Sequence, residues 1–384
     1  MCAALCLAGC ADKAQPRPDA SELWNATAGA DARSADASSA PMDANDAHVG
    51  APDARPASQG GEDAQSGGHA AEPPPDSGGA DAAQDASVVP AVKSLSCAPG
   101  QSYGDPLPSD RNATKVMQGF GFLEGPVWIP KLGVLLFSDM DFSTSNAATG
   151  PNAKLRRFTP PNKFDVLVEM SGTNGMSLDN EGLVLAATHD VQSLSRFDPM
   201  TGARESLALR YQGKHFNSPN DVCVRSDGNV YFSDPDWQLG SRSSETGIRG
   251  LYRVAPDGTV SLISSALNRP NGVALSPDER TLYVGSQDQE VLAYPLDAAG
   301  QAGTSKTFAT TGSSDGMTVD CAGNIYVCSG TMEVFSSTGK KLGEISVAEE
   351  PSNVAFGGPT QRTLYITAKT GLYSIELNVP GRAY

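Results

Sequence analysis

Six polar residues stand at the head of six copies of one sequence pattern: Glu124, Asn174, Asn220, Asn271, Asp315 and Asn353. In each copy the head is followed by an apolar alternation, a turn, and a second apolar run that ends in small polar residues. The copies are EGPVWIPKLGVLLFSD from Glu124, NGMSLDNEGLVLAATHD from Asn174 and NDVCVRSDGNVYFSDPD from Asn220. NGVALSPDERTLYVGSQ follows from Asn271, DGMTVDCAGNIYVCSG from Asp315, and a weaker NVAFGGPTQRTLYITAK from Asn353. If repetition brings the six heads to one place, two carboxylates and several amide oxygens converge there. Such a hard, oxygen-rich set suits Ca²⁺, Mg²⁺ or Mn²⁺, and its geometry also admits Zn²⁺. Without a cation, two close carboxylates repel and one of them protonates.

The elements that would position these heads follow from the spacing. Successive heads lie 38 to 51 residues apart. A repeat of about 40–50 residues made of strands indicates a β-propeller. Each copy contains a hairpin. In the third, Val222 and Val224 alternate with more polar neighbours, Asp227-Gly228 makes the turn, and Val230, Tyr231 and Phe232 resume the strand. Two further strands follow it, Leu251–Val254 and Val260–Ile263. Four strands in each of six copies predict an all-β, six-bladed β-propeller. A strand from about residue 110 is expected to complete the last blade and remove the open edge. A β-sandwich would not require six copies of one motif. In a propeller the first strand of each blade lines the axis, so all six heads face one channel. Gly175, Gly272 and Gly316, directly after their heads, permit close backbone packing there.

The remaining sequence sets boundaries. The 384 residues carry a net charge of −16, which argues against a sequence-independent nucleic-acid binder. Only four histidines occur and no HExxH, which argues against histidine-rich zinc chemistry. No apolar run reaches the length of about 18 residues needed for a spanning helix. Residues 11–95 are rich in Ala, Asp, Gly, Ser and Pro, with 14 acidic and 5 basic groups across 1–95. Such a segment cannot bury enough apolar surface to fold, and we read it as a disordered, self-repelling linker. The propeller then occupies 96–384. Leu7-Ala8-Gly9-Cys10 resembles a bacterial lipobox, so residues 1–10 read as a signal remnant with Cys10 as a lipidation site. This predicts an exported chain, lipid-anchored to a bacterial membrane and touching it only through that anchor. Cys97, Cys223, Cys321 and Cys328 form no CxxC pair, and their spacing selects no disulfide. Cys223 and Cys328 lie in apolar strand patterns and read as buried free thiols.

Four segments together carry a specific resemblance: EGPVW (Glu124–Trp128), SPNDV (Ser218–Val222), RPNGVALSPDERTLYV (Arg269–Val284) and DGMTVDCAGNIYV (Asp315–Val327). They resemble the senescence marker protein-30/gluconolactonase family, and especially its bacterial gluconolactonase branch, over roughly residues 115–375. The resemblance implies a six-bladed propeller with one divalent cation, calcium first, in the central channel, and hydrolysis of a small-molecule lactone. By the same resemblance Glu124, Asn220, Asn271 and Asp315 are metal ligands, and Asp315 is also the catalytic base. Asn174, His189, Asn220 and Trp237 are placed against substrate. Two departures lie at the mouth: Asp190 stands where the branch has a glycine after the histidine, and DPDW (Asp234–Trp237) replaces DPPYG.

The implied chemistry is polarisation of the lactone carbonyl by the cation and attack by a water activated by Asp315 or by the cation itself. Hydrolysis of other esters or phosphotriesters in the same site is an alternative. So is a non-enzymatic binding propeller with a structural metal. Gly312–Gly316 matches G-x-S-x-G, but a nucleophile elbow needs a helix after it, and a strand, Met317–Val319, is expected here. Ser314 is therefore not read as a nucleophile. His215 is expected in a loop, and Trp128 is expected to pack.

Overall fold

Short apolar alternations broken by Gly, Asp and Asn turns satisfy their backbone by pairing in sequence as antiparallel strands. The computed structural model describes Cys97 and residues 101–382. The expected signal remnant and linker lie outside the described residues. Among the described residues there are 24 strands and no helix.

The strands form six four-stranded antiparallel sheets, five of them from consecutive strands. The sixth joins Pro351–Gly357, Thr363–Ala368 and Gly371–Glu376 to Thr114–Gln118, which pairs on the outer edge. The ring is thus closed by the expected N-terminal strand. The inner strands are Phe122–Ile129, Thr173–Leu178, Val222–Val224, Val273–Leu275, Met317–Val319 and Pro351–Gly357. Each touches the next, and the last touches the first, as a six-bladed propeller requires.

Registers follow the sequence expectation. In blade three Val222 pairs with Phe232 and Val224 with Val230, around a turn where Gly228 takes φ +89°. The outer strands of that blade are Gly250–Val254 and Val260–Ser264. The core is divided into wedges between blades. Trp128 and Tyr365 stack at 5.7 Å between blades one and six, with Phe137 and Leu372 in the same cluster. Trp128 is therefore a packing residue, 4 % exposed. Cys223 and Cys328 are buried free thiols, as expected. Cys97 forms a disulfide with Cys321, a pairing the spacing did not select.

Candidate active site

Each inner strand runs from its head residue toward the first hairpin turn, so the six heads lie at one end of the axis. Backbone pairing repeats there from blade to blade. The amides of Asn220, Asn271 and Asp315 donate to the carbonyls of Ser233, Gly285 and Cys328 on the neighbouring strands. A belt of hydrogen bonds also joins every blade to the next. Ser138 Oγ donates to the Asn174 carbonyl, Gly175 N to Asn220 O, and Val273 N to Asp221 Oδ2. Gly272 N donates to Asp315 O, Gly316 N to Ser352 O, and Ser352 Oγ to Leu123 O. The belt fixes the height of the heads around the axis. It also demands glycine: a Cβ on Gly125 would overlap the Asn174 carbonyl, and one on Gly316 would overlap the Asn353 amide.

Three carboxylates face this belt. Glu124 is buried and accepts the Gly125 amide at 3.1 Å and Asn353 Nδ2 at 3.3 Å. Burial, followed by the charges of Asp315 and Asp221, pushes its carboxyl well above the usual range. Asp315 keeps some surface on the channel, and its Oδ1 accepts Asn271 Nδ2 at 2.8 Å. Burial pushes Asp315 up to about 8; the Asn271 hydrogen bond opposes this, and the charges of Asp221 and Glu350 add to it. Asp221 is pushed up to about 7 by burial. Its oxygens accept the Val222 and Val273 amides, so it ties blade three to blade four from beneath the heads. Asn353, expected only as a repeat head, hydrogen-bonds Glu124 across the blade-six to blade-one junction.

Several polar atoms at the heads are buried without a partner: Asn271 Oδ1, and both Oδ1 and Nδ2 of Asn174. Buried polar atoms are ordinarily paired. Orphaned amide oxygens beside carboxylates whose charges repel fit a divalent cation. Among the described residues no three His, Cys, Asp or Glu side chains converge as ligands. Two carboxylates with neutral amide oxygens are thus the donor set available.

The remaining expected residues differ in their surroundings. Trp237 is partly exposed, with the Arg269 guanidinium 5.9 Å from its ring centroid. His189 is fully enclosed. Its Nε2 lies 2.9 Å from the Pro151 carbonyl, which only accepts, so Nε2 carries the proton and Nδ1 is an unpartnered acceptor. Burial pushes the His189 pKa down and keeps the ring neutral. Next to it, Asp190 is clamped by both terminal nitrogens of Arg204, at 2.7 and 2.9 Å. His215 lies in a loop, where its amide donates to Glu245. Ser314 is buried, and a strand, not a helix, follows it. The nucleophile-elbow pattern is coincidental.

Sequence reasoning missed Asp221, Ser138 and Ser352. Asp221 had a signal: it fills the position after the head that is glycine in four other copies. A side chain where the axis prefers none marks a contact made across the ring.

The SMP-30/Gluconolactonase/LRE-like region matches residues 122–370. The chain belongs to this family. Gluconolactonase of Zymomonas mobilis is 34 % identical over 284 residues, which cover 67 % of this chain and 79 % of that one. Pentonolactonase of Haloferax volcanii is 30 % identical over 261 residues, covering 65 % and 81 %. The solved gluconolactonase of Xanthomonas campestris superposes with a TM-score of 0.61 at 29 % identity, covering 73 % of this chain and 99 % of that one.

Proposed function

We propose that the chain hydrolyses lactones in a channel where Glu124, Asn220, Asn271 and Asp315 hold one divalent cation, calcium first. The membership and the lactonase relatives support the reaction class, a carboxylic ester hydrolase acting on cyclic esters. The observation that carries the metal is the unpartnered Asn271 Oδ1 beside the carboxylates of Asp315 and the buried Glu124. When bound, the cation would neutralise those carboxylates and polarise the lactone carbonyl.

The chain's own groups supply the rest. Asn271 Nδ2 holds Asp315 Oδ1, which leaves Oδ2 to receive a proton. A water oxygen attacks the carbonyl carbon as that proton passes to Asp315. The ring C–O bond then breaks, and the departing alkoxide takes the proton back, giving the open hydroxy acid. The orphaned amide of Asn174 offers both a donor and an acceptor to substrate oxygens. Asn220 is fixed through its backbone to blades two and three, which holds its place among the heads. His189 supports the rim from beneath, and any substrate contact it makes runs through Nδ1.

The test follows acid release from sugar, aliphatic and acyl-homoserine lactones. The full chain is stripped with chelator and Ca²⁺, Mg²⁺, Mn²⁺ or Zn²⁺ is restored singly, beside Asp315→Asn. Cation-restored turnover that the variant lacks supports the reading. Tight cation binding with no turnover on any lactone moves the chain to a binding role.

We also propose that the chain works outside the cytoplasm. The Cys97–Cys321 disulfide suits an oxidising compartment and agrees with a lipobox ending at Cys10. Mass spectrometry of the mature N-terminus would find a lipidated Cys10; an unmodified Met1 would contradict this.

A further inference from the structure

A second constellation lies at the mouth, and the hydrolysis above does not use it. Asp236 and Trp237 follow the second strand of blade three, Val230–Asp234. The last residue of that strand accepts the amides of Asn217 and Ser218, each at 2.9 Å, just ahead of Asn220. Arg269 stands two residues ahead of Asn271 in blade four. The contact between Asp236 and Arg269 therefore bridges the same two blades, on the same face, as the Asn220 and Asn271 heads.

Two guanidinium groups share the one carboxylate. Arg269 Nε donates to Asp236 Oδ1 at 3.0 Å, and Arg249 Nε donates to Oδ2 at 2.7 Å. The trio carries one net positive charge. The Arg269 guanidinium lies over the Trp237 ring, 5.9 Å from its centroid, yet among the described residues its two Nη groups donate to no protein acceptor. Its backbone is left-handed, φ +51°, which a non-glycine residue keeps only where its neighbours fix it. The Arg249 side chain is 46 % exposed and that of Arg269 is 23 %, so one reaches the rim and the other lies deeper. Two other acids are oriented by backbone amides of the adjoining loops: Asp288 accepts the Asn268 amide, and Glu245 the His215 amide. Elsewhere the channel is acidic, with Glu124, Asp221 and Asp315 at the axis and Glu350 near Asp315.

We propose that Arg269 and Arg249, aligned by Asp236 and Trp237, select lactones bearing an anionic substituent (carboxylate, sulfonate or phosphate) away from the carbonyl that is attacked. This rests on the lactone-hydrolase reading and names the substrate class of that site. A planar guanidinium with free donors matches an oxyanion, and the unused Nη donors of Arg269, with Arg249 beside them on Asp236, give such a substrate a place to put its charge.

The test compares a neutral aldonolactone with its 6-phosphate and its uronate counterpart of the same ring size, on the full chain with cation restored. Wild type is expected to favour the anionic lactones by about tenfold in kcat/KM, mostly through KM, with the preference shrinking as salt rises. Arg269→Gln is expected to lower the anionic-to-neutral ratio about tenfold, and Arg269→Lys to keep part of it, since charge survives but the fork does not. Arg249→Gln, at the exposed rim, gives a smaller drop and guards against misfolding of the deeper variant. A wild-type ratio at or below one overturns the proposal. So does an Arg269→Gln chain that loses both substrates equally, which would make Arg269 a general hydroxyl contact. If wild type turns over neither lactone, the hydrolase reading fails first and the proposal with it.

Discussion

The two ends of the axial channel are built from the same six inner strands, yet they are made of opposite materials. At the head stand Glu124, Asn174, Asn220, Asn271, Asp315 and Asn353, with carboxylates pushed toward neutrality and amide atoms lacking partners. Past Asp221 and Asn353 the strands continue as Met176, Leu178, Val222, Val273, Leu275 and Val319, around a cavity of about 340 Å³. That far end is stapled. Cys97 is bonded to Cys321, the Cys321 amide donates to Pro380, and Arg382 pairs with Glu279. Both the start and the end of the described chain are tied to the floor, while the head is left polar and incompletely satisfied. Unpaired buried polar groups destabilise a fold. The head therefore keeps its chemistry only because the floor and the inter-blade wedges hold the strands in place.

The largest effects separate the two ends. Asp315→Asn should lower kcat on lactones by about 100-fold or more, the scale of a lost general base. The variant should melt no lower than wild type when cation-free, because one of the repelling carboxylates is gone. The paired substitution Cys97→Ser with Cys321→Ser should do the reverse. Turnover should stay within a small factor, and denaturant unfolding should show a loss of about 2–4 kcal/mol. A disulfide-free chain that loses catalysis, or an Asp315→Asn chain that unfolds, would break the division between a chemical head and a structural floor.

A pH series sharpens the same comparison. Asp221 and Asp315 have folded-state pKa values of about 7 and about 8, above the ordinary aspartate range. The folded, cation-free chain thus holds protons there that the unfolded chain has released. Their stabilising effect is complete below the ordinary aspartate pKa and is lost as pH rises through 7 to 8. The melting temperature of chelator-treated protein should fall between about pH 5 and pH 8, and added Ca²⁺ should remove most of that fall. A chelated chain equally stable at both pH values would mean that the head carboxylates do not repel.

The smallest expected effect belongs to the floor ion pair. Glu279→Gln removes the charge that faces Arg382 but keeps an oxygen for it and for the Ser226 amide and hydroxyl, and both ion-pair side chains keep some solvent contact. The loss should be about 1 kcal/mol or less by denaturant midpoint, with no change in kcat. A catalytic defect here would connect the floor to the head.

How much was legible in the sequence depends on whether a feature repeats. The six heads and the hairpin at Asp227-Gly228 were readable because each copy repeats the same period-two alternation and turn chemistry, and the closing strand Thr114–Gln118 because the last copy lacked a fourth strand. What was hidden depends on one blade meeting another. His189 was expected against substrate, but its cover is the Pro151 carbonyl of blade one, which no single copy encodes. Asp221 accepts an amide from blade four, and only its departure from glycine signalled this. Cys97 and Cys321 are 224 residues apart, and their pairing follows from where the chain enters the ring. The linker and lipobox readings fall outside the described residues.

The central claim is that the channel head holds one cation through carboxylate and amide oxygens. Calorimetric titration of Ca²⁺ into the chelator-stripped full chain, wild type beside Glu124→Gln, tests it most directly. The account predicts one saturable site in wild type and an affinity at least about tenfold weaker in the variant, as loss of a charged oxygen ligand requires. Equal binding by both chains, or lactone turnover by a wild-type chain that binds no cation, would contradict it.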